Sequence, residues 1–210
     1  MSSLSQILKE HGTLMVLDAS SERIQTGLLS TLASPRWACR NDDAGVGLFA
    51  CLDALHFEIG SVDAFAYCEG PGSILGIRTS AIALRMWNVL RARPMFAFMS
   101  LAVAAQAVGR RDVSLIADAR RGQWHRLRMG GVLERVPTAA LAGELMMPEG
   151  FRHWQPPPPA TALTSYDLGT FLTLSSVMAA DLFRETTAPD AFLHEEPTYA
   201  KWGSQIHRAP

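Results

Sequence analysis

The segment from Ala64 to Arg91 constrains the fold more than any other. Its apolar run Ala64-Phe65-Ala66-Tyr67-Cys68 reads as a buried strand. The stretch Gly70-Pro71-Gly72-Ser73-Ile74-Leu75-Gly76 reads as a tight loop, and Ile77 to Arg91 as a helix stopped ahead of Pro94. A strand, a glycine-rich turn and a helix in immediate succession are the building unit of an α/β layer. Within that helix Arg78, Arg85 and Asn88 form a narrow polar stripe, whereas Ile82, Leu84, Met86, Trp87, Val89 and Leu90 cover most of the remainder. A helix this apolar is expected to touch more than its own core.

Upstream, Thr13 to Asp18 and Arg23 to Leu29 are strand-like runs close enough to pair as a hairpin. Between Gly45 and Ile59, the residues Leu48, Leu52, Leu55 and Ile59 recur at spacings of four, three and four, which places them on one helix face, with Asp42 or Asp43 as the cap. Downstream, Pro94 to Phe98 reads as a strand and Leu101 to Val108 as an alanine-rich helix. Val113 to Asp118 and Gln123 to Met129 then restart the theme of strand, turn, strand. Gly130-Gly131 is expected to make a two-residue hairpin turn, Pro156 to Pro159 a stiff polyproline-II-like connector, and Leu168 to Phe183 a helix. The resulting division is an extension over 1–12, forming a short helix or staying loose, and an N-terminal lobe over 13–99. A smaller C-terminal lobe over 100–190 contains the proline run, and a polar tail covers 191–210.

The chain of 210 residues is 48% hydrophobic and 19% charged, enough for one good-sized core or two small ones. Its net charge of −1 supplies no overall field for a polyanion, so nucleic-acid contact is expected to be local or borrowed from a partner. Cys39, Cys51 and Cys68 form no C-x-x-C pair and read as buried free thiols. No uncharged stretch reaches the length of about 18 residues needed to span a membrane, and the first residues lack a signal-type apolar run. A soluble, cytoplasmic protein without membrane contact is the expectation.

Three patterns invite chemistry. Gly70, Gly72 and Gly76, between a strand and a helix, suggest a phosphate cradle built of backbone N–H groups. Pro71 removes one donor, however, the spacing is not G-x-G-x-x-G and there is no Walker lysine, so a tight turn is the preferred reading. Asp18 and Asp118 each end an expected strand, where a ribonuclease-H-type enzyme would hold a metal ion; two carboxylates alone do not suffice, and hydrogen bonding of the following turn is preferred. The histidines His11, His56, His125, His153, His194 and His207 never approach metal-site spacing. Strand alternation puts Trp124, Arg126 and Arg128 on one face, read as solvated, with a nucleic-acid-backbone contact as the alternative.

Four segments in order resemble the TsaB (YeaZ) family. They are Leu17-Asp18-Ala19-Ser20-Ser21, the signature Tyr67 to Arg78 with Gly70, Pro71, Gly72, Ser73, Gly76 and Arg78, the second motif with Asp118, Arg120 and Gly122, and the tail motif Glu196-Pro197-Thr198-Tyr199. The resemblance implies an actin-like, ribonuclease-H-type α/β fold of two lobes, each with a mixed sheet and flanking helices. It implies a subunit that catalyses nothing itself and carries no cofactor, ATP and magnesium belonging to the partners. Those partners would be a TsaD-type catalytic subunit and a TsaE-type ATPase, acting together on adenosine 37 of tRNA to make threonylcarbamoyladenosine. tRNA itself would be touched at most indirectly, and the isolated chain would be a homodimer. The family's use of the two N-terminal helices for contacts maps onto Leu48, Leu52, Leu55, Ile82, Met86 and Trp87. The chain departs from the family at Ile74, Leu75, Arg85, Met86, Trp87, Gln123 and Ala200-Lys201. A self-associating homodimer outside that complex and an actin-like nucleotide-binding phosphotransferase are the alternative readings.

Overall fold

The computed structural model describes residues 1–192. In chain order the elements are β1 (Ser2–Ser3), α1 (Leu4–His11), β2 (Thr13–Asp18), β3 (Arg23–Ser30), β4 (Arg36–Asn41), α2 (Ala44–Ala54), β5 (Ala64–Gly70), α3 (Ile74–Leu90), β6 (Met95–Met99) and α4 (Ser100–Val108). There follow β7 (Val113–Asp118), β8 (Gln123–Leu127), β9 (Glu134–Pro137), β10 (Glu144–Pro148), β11 (Ala162–Thr164), α5 (Leu168–Phe171), α6 (Ser175–Met178) and β12 (Asp181–Glu185). They build a seven-stranded sheet in the order β1-β12-β6-β5-β2-β3-β4 and a five-stranded sheet in the order β11-β10-β7-β8-β9.

In the larger sheet β2 pairs antiparallel with β3 and parallel with β5, which pairs parallel with β6. Period-two alternation gives the sheet two apolar faces. Met15, Leu17, Phe65 and Tyr67 point toward α2 and α3, packing with Leu48, Leu52 and Leu84. Leu14, Val16, Ala66 and Cys68 point the other way, into a cluster that also takes in Leu4, Leu101, Leu115, Leu127 and Phe171. That second cluster runs without a break from α1 through α4 into the smaller sheet, so one core serves both lobes.

The first twelve residues take the helical alternative and belong to the first lobe. Ser3 caps α1 by a reciprocal pair of bonds, Gln6 N–H to Ser3 Oγ at 3.2 Å and Ser3 N–H to Gln6 Oε1 at 2.8 Å. Leu4, Ile7 and Leu8 are buried, and β1 pairs with β12. The stretch expected as one helix from Leu168 to Phe183 is two short helices and a strand. Thr173 Oγ1 donates to Thr170 O at 2.7 Å, and the Thr-Leu-Ser-Ser run lets side-chain hydroxyls compete with helical bonding. Since β12 lies between β1 and β6, a boundary placing residues 100–190 wholly in the second lobe does not hold.

Smaller differences have local causes. The edge strand β4 was hidden by its polar sequence Arg-Trp-Ala-Cys-Arg-Asn; Trp37 on it lies over Gly27, where an added Cβ would stand 2.7 Å from the indole. Asp43 occupies the N-cap of α2 without a side-chain bond, and the helix ends at Ala54, leaving Ile59 in a following 3-10 turn. The hairpin containing Gly130-Gly131 spans residues 128–133 rather than a two-residue turn, with Gly131 N–H bonded to Arg128 O at 2.8 Å. The proline run lies in irregular chain between β10 and β11, as expected of a connector. Among the described residues no helix is long and apolar enough to cross a membrane.

Candidate functional site

The glycine loop closes on the β2–β3 turn. Ser73 N–H donates to Ser20 O at 2.7 Å, and Gly76 N–H reaches Ser73 Oγ, the N-cap of α3, at 3.4 Å. A Cβ at Gly76 would lie 1.9 Å from Ala19 O, and one at Gly72, whose φ is +154°, 2.3 Å from Ser20 O. The glycines therefore permit backbone to meet backbone. The N–H groups of Ser73 and Gly76 that a phosphate would need are satisfied within the protein. Pro71 O accepts from Ser100 Oγ at 2.7 Å, fixing the loop to α4 as well.

Both strand-ending aspartates bond the turns that follow them. Asp18, fully buried, accepts from Ser20 N–H at 2.7 Å and from Tyr166 Oη at 2.6 Å. Burial pushes its carboxyl above the usual range, the hydrogen bonds opposing. Asp118 accepts from Arg120 N–H at 2.5 Å and holds residues 154–155 through Trp154 N–H at 2.5 Å and Gln155 N–H at 3.2 Å. Among the described residues no group of three or more His, Cys, Asp or Glu side chains is placed to hold a metal ion. Cys51 and Cys68 are buried, and desolvation raises both thiols, Cys68 well above the usual value; Cys39 is half-buried.

Between the lobes lies a cleft of about 490 Å³. Ser73, Ile74 and Leu75 wall one side, Asp118, Arg120, Arg135 and Trp154 the other. The Arg120 guanidinium stacks over the Trp154 ring at 4.8 Å, and that indole is 63% exposed. No sequence pattern marks Trp154. Trp124, expected to share a solvated face with Arg126 and Arg128, is instead fully buried with Ile116, Leu145 and Met147, and its Nε1–H donates to Thr138 Oγ1 at 3.0 Å. Arg126 is paired with Glu134 at 2.9 Å, while Arg128 stands past the end of β8 and donates to Ser114 Oγ at 3.0 Å. A stacking platform at Trp124 is thereby excluded: on the sheet face where strand alternation placed it, the indole packs with Ile116, Leu145 and Met147, against Leu141 and Thr138 of the following turn.

The helices expected to carry contacts divide sharply. Leu48, Leu52 and Leu55 are buried in the core beneath α2 and cannot meet a partner. Trp87 is partly buried, stacked on Phe65 with ring centres 5.6 Å apart. Ile82 and Met86 are exposed as expected, and they are joined along α3 by Leu75, 75% exposed, and by Val89 and Leu90, with Val46 and Phe49 exposed on α2. Leu75, Ile82, Met86 and Val89 follow one another at spacings of seven, four and three, a single stripe on the helix. Ile82, Met86 and Val89 were legible in the sequence as part of an apolar helix, while Leu75 falls in the expected loop because α3 begins at Ile74 rather than Ile77, and the sequence does not say which apolar face the sheet takes. Arg78 and Arg85 flank it, both directed at Asp190, at 3.5 and 3.6 Å. The tail motif Glu196-Pro197-Thr198-Tyr199, with Ala200-Lys201, His194 and His207, lies outside the described residues.

Solved structures supply the fold comparison. YeaZ from Pseudomonas aeruginosa superposes with a TM-score of 0.60, covering 77% of this chain and 89% of that one at 22% identity. The chain has the YeaZ fold. A second structure, described as an uncharacterized protein with similarity to peptidase YEAZ from Pseudomonas aeruginosa, gives a TM-score of 0.56 over 78% of this chain and 90% of that one at 23% identity. No protein-family model and no curated protein matches the sequence. The expected actin-like, ribonuclease-H-type architecture, two mixed sheets with flanking helices, is thus the architecture of the chain, shared with YeaZ across most of both proteins.

Proposed function

We propose that the chain is a TsaB-type accessory subunit that makes no product itself and supports a TsaD-type enzyme in threonylcarbamoylation of adenosine 37 of tRNA. The observation that supports this reading is the apolar stripe Leu75, Ile82, Met86 and Val89, left exposed along α3 among the described residues. The four ordered motifs and the shared YeaZ fold supply the family direction. In this reading a TsaE-type ATPase joins the pair, ATP and magnesium are held by those partners, and tRNA contacts are indirect.

The stripe also serves a second copy of the chain when the enzyme is absent, giving a homodimer in isolation. The two occupants then compete for one face. The test is co-purification with a TsaD homologue: Met86→Asp and Ile82→Asp should abolish recovery of the partner while leaving the fold intact. Recovery unchanged in both variants removes this assignment. A nucleotide phosphotransferase is disfavoured because loop N–H groups at Ser73 and Gly76 are already bonded internally. Titration calorimetry with magnesium and ATP at millimolar concentration should show no binding, and a saturable heat would reinstate that alternative.

A further inference from the structure

The polar side of α3 is tied to the segment that follows β12. Arg78 and Arg85 converge on one carboxylate, Asp190, at 3.5 and 3.6 Å, and Arg85 also donates to Pro189 O. Asp190 is held by its backbone as well: the Tyr67 hydroxyl on β5 donates to its carbonyl and accepts its N–H, both at 3.0 Å. Residues 186–192 start on β6, where Thr186 N–H donates to Met95 O at 2.8 Å, bury Ala191 in the cluster beneath α2 and α3, and reach β5 again where Phe192 N–H meets Glu69 O at 2.7 Å. One short segment thus ties two strands to one helix. That helix is unevenly anchored. Its buried residues run from Gly76 to Leu84. Beyond Leu84, Arg85, Met86, Val89 and Leu90 are exposed, and the half-buried side chains are Trp87, stacked on Phe65, and Asn88, whose Oδ1 accepts from Arg93 N–H at 2.7 Å. Met86 and Val89 of the apolar stripe therefore sit on the half of α3 that the sheet holds least.

We propose that residues 186–192 form a clasp on the distal half of α3, with Asp190 as its positioning residue, and that the clasp holds Met86 and Val89 in place for a partner. The inference rests on the reading of the stripe as a contact surface. Asp190, Arg78 and Arg85 are each about half exposed, so their ion pairs add little to the stability of the whole fold. They act locally, on a helix end whose opening takes far less free energy than global unfolding. A partner that had to order this end on binding would lose affinity by the amount the clasp now supplies in advance.

Amide hydrogen exchange on the dilute full chain tests it, in Asp190→Ala, which frees the two arginines, and in Tyr67→Phe, which frees the backbone of residue 190. Both should speed exchange of residues 86–91 about tenfold and leave residues 77–84 as they are. Combining them should add little, because each opens the same clasp. Asp190→Glu, which keeps the charge, should retain the protection of the unaltered chain. Self-association measured by sedimentation should weaken about fivefold in Asp190→Ala, although no residue of the stripe is changed. Unaltered exchange of residues 86–91 in both variants overturns the proposal, as does equal acceleration along the whole of α3 and β5, which would mark a general structural role. Faster exchange with undiminished self-association overturns the link to the contact surface. If Met86→Asp itself leaves association unchanged, the stripe reading fails, and the exchange of residues 86–91 still decides whether the clasp exists.

Discussion

Tyr166 Oη donates a 2.6 Å hydrogen bond to the carboxylate of Asp18, and both side chains are buried. Tyr166 follows β11 of the smaller sheet and Asp18 ends β2 of the larger, so this bond ties the two halves of the molecule together. Neighbouring ties reinforce it: Gln25 donates to Tyr166 O at 3.3 Å and accepts from Leu168 N–H at 2.8 Å, while Arg23 pairs with Asp167 at 3.0 Å. Tyr166→Phe leaves a buried carboxylate short of a donor. It should cost about 1–3 kcal/mol in urea unfolding.

Asp18 gives that tie a pH dependence. Its folded pKa lies above the unfolded value of 3.8, so the native state holds the proton more tightly than the unfolded chain. The stability this group contributes is therefore present below pH 3.8 and is lost as pH rises toward the folded pKa. Asn at this position keeps an acceptor for Tyr166 and cannot titrate. The stability difference between the unaltered protein and Asp18→Asn should shift against the unaltered protein as pH rises from about 4, measured by urea unfolding at a series of pH values. A difference that stays flat contradicts the assignment.

Leu52 and Met86 separate core from exposed apolar surface. Leu52→Asp puts a charge beneath α2, where 6% of the side chain is exposed, and should prevent folding or lower stability by roughly 3 kcal/mol or more. Met86 is 65% exposed, so Met86→Asp should leave thermal unfolding of the dilute chain within about 0.5 kcal/mol. Its effect should appear in association instead, with self-association measured by sedimentation weakened about thirtyfold, as for a contact worth ~2 kcal/mol.

Two tryptophans make a similar contrast. Trp124→Ala empties a fully buried site and should destabilise by about 3–5 kcal/mol. Trp154→Ala should have little effect on unfolding, while removing the surface on which Arg120 stacks. Intrinsic fluorescence of single-tryptophan variants, titrated with iodide, should find Trp154 quenched and Trp124 shielded.

Gly76→Ala is expected to be among the most damaging small changes. The new methyl would meet the Ala19 carbonyl oxygen at 1.9 Å, a clash with backbone that no rotamer change relieves. A loss of about 3 kcal/mol or more in chemical unfolding is expected. A variant as stable as the parent would mean the loop and the β2–β3 turn separate easily.

What the sequence made legible follows periodicity and punctuation. The hairpin of β2 and β3, the unit of β5, loop and α3, and the pair β7 and β8 announce themselves because apolar runs end at Asp18, Gly70 and Asp118, where turns begin. Strand β4 stayed hidden, since an edge strand with Arg36, Arg40 and Asn41 exposed carries no apolar pattern to read. Helical spacing after Leu168 misled, because the same positions serve two short turns and then β12. On the helices, the apolar surplus of α3 at Ile82, Met86 and Val89 could be read, but burial of Leu48, Leu52 and Leu55 could not. Both helices carry more apolar surface than one side of a sheet can cover, and only packing decides which part is left over. Trp154 had no signal, its position being set by the bonds Asp118 makes to residues 154–155.

The place of β12 between β1 and β6 has a consequence for how the protein is made. The first strand and one of the last are neighbours, so the larger sheet cannot be completed until residue 185 has cleared the ribosome. Until then β6 has an open edge and the shared core is exposed on one side. Synthesis, rather than the finished fold, is when this chain has most need of a chaperone.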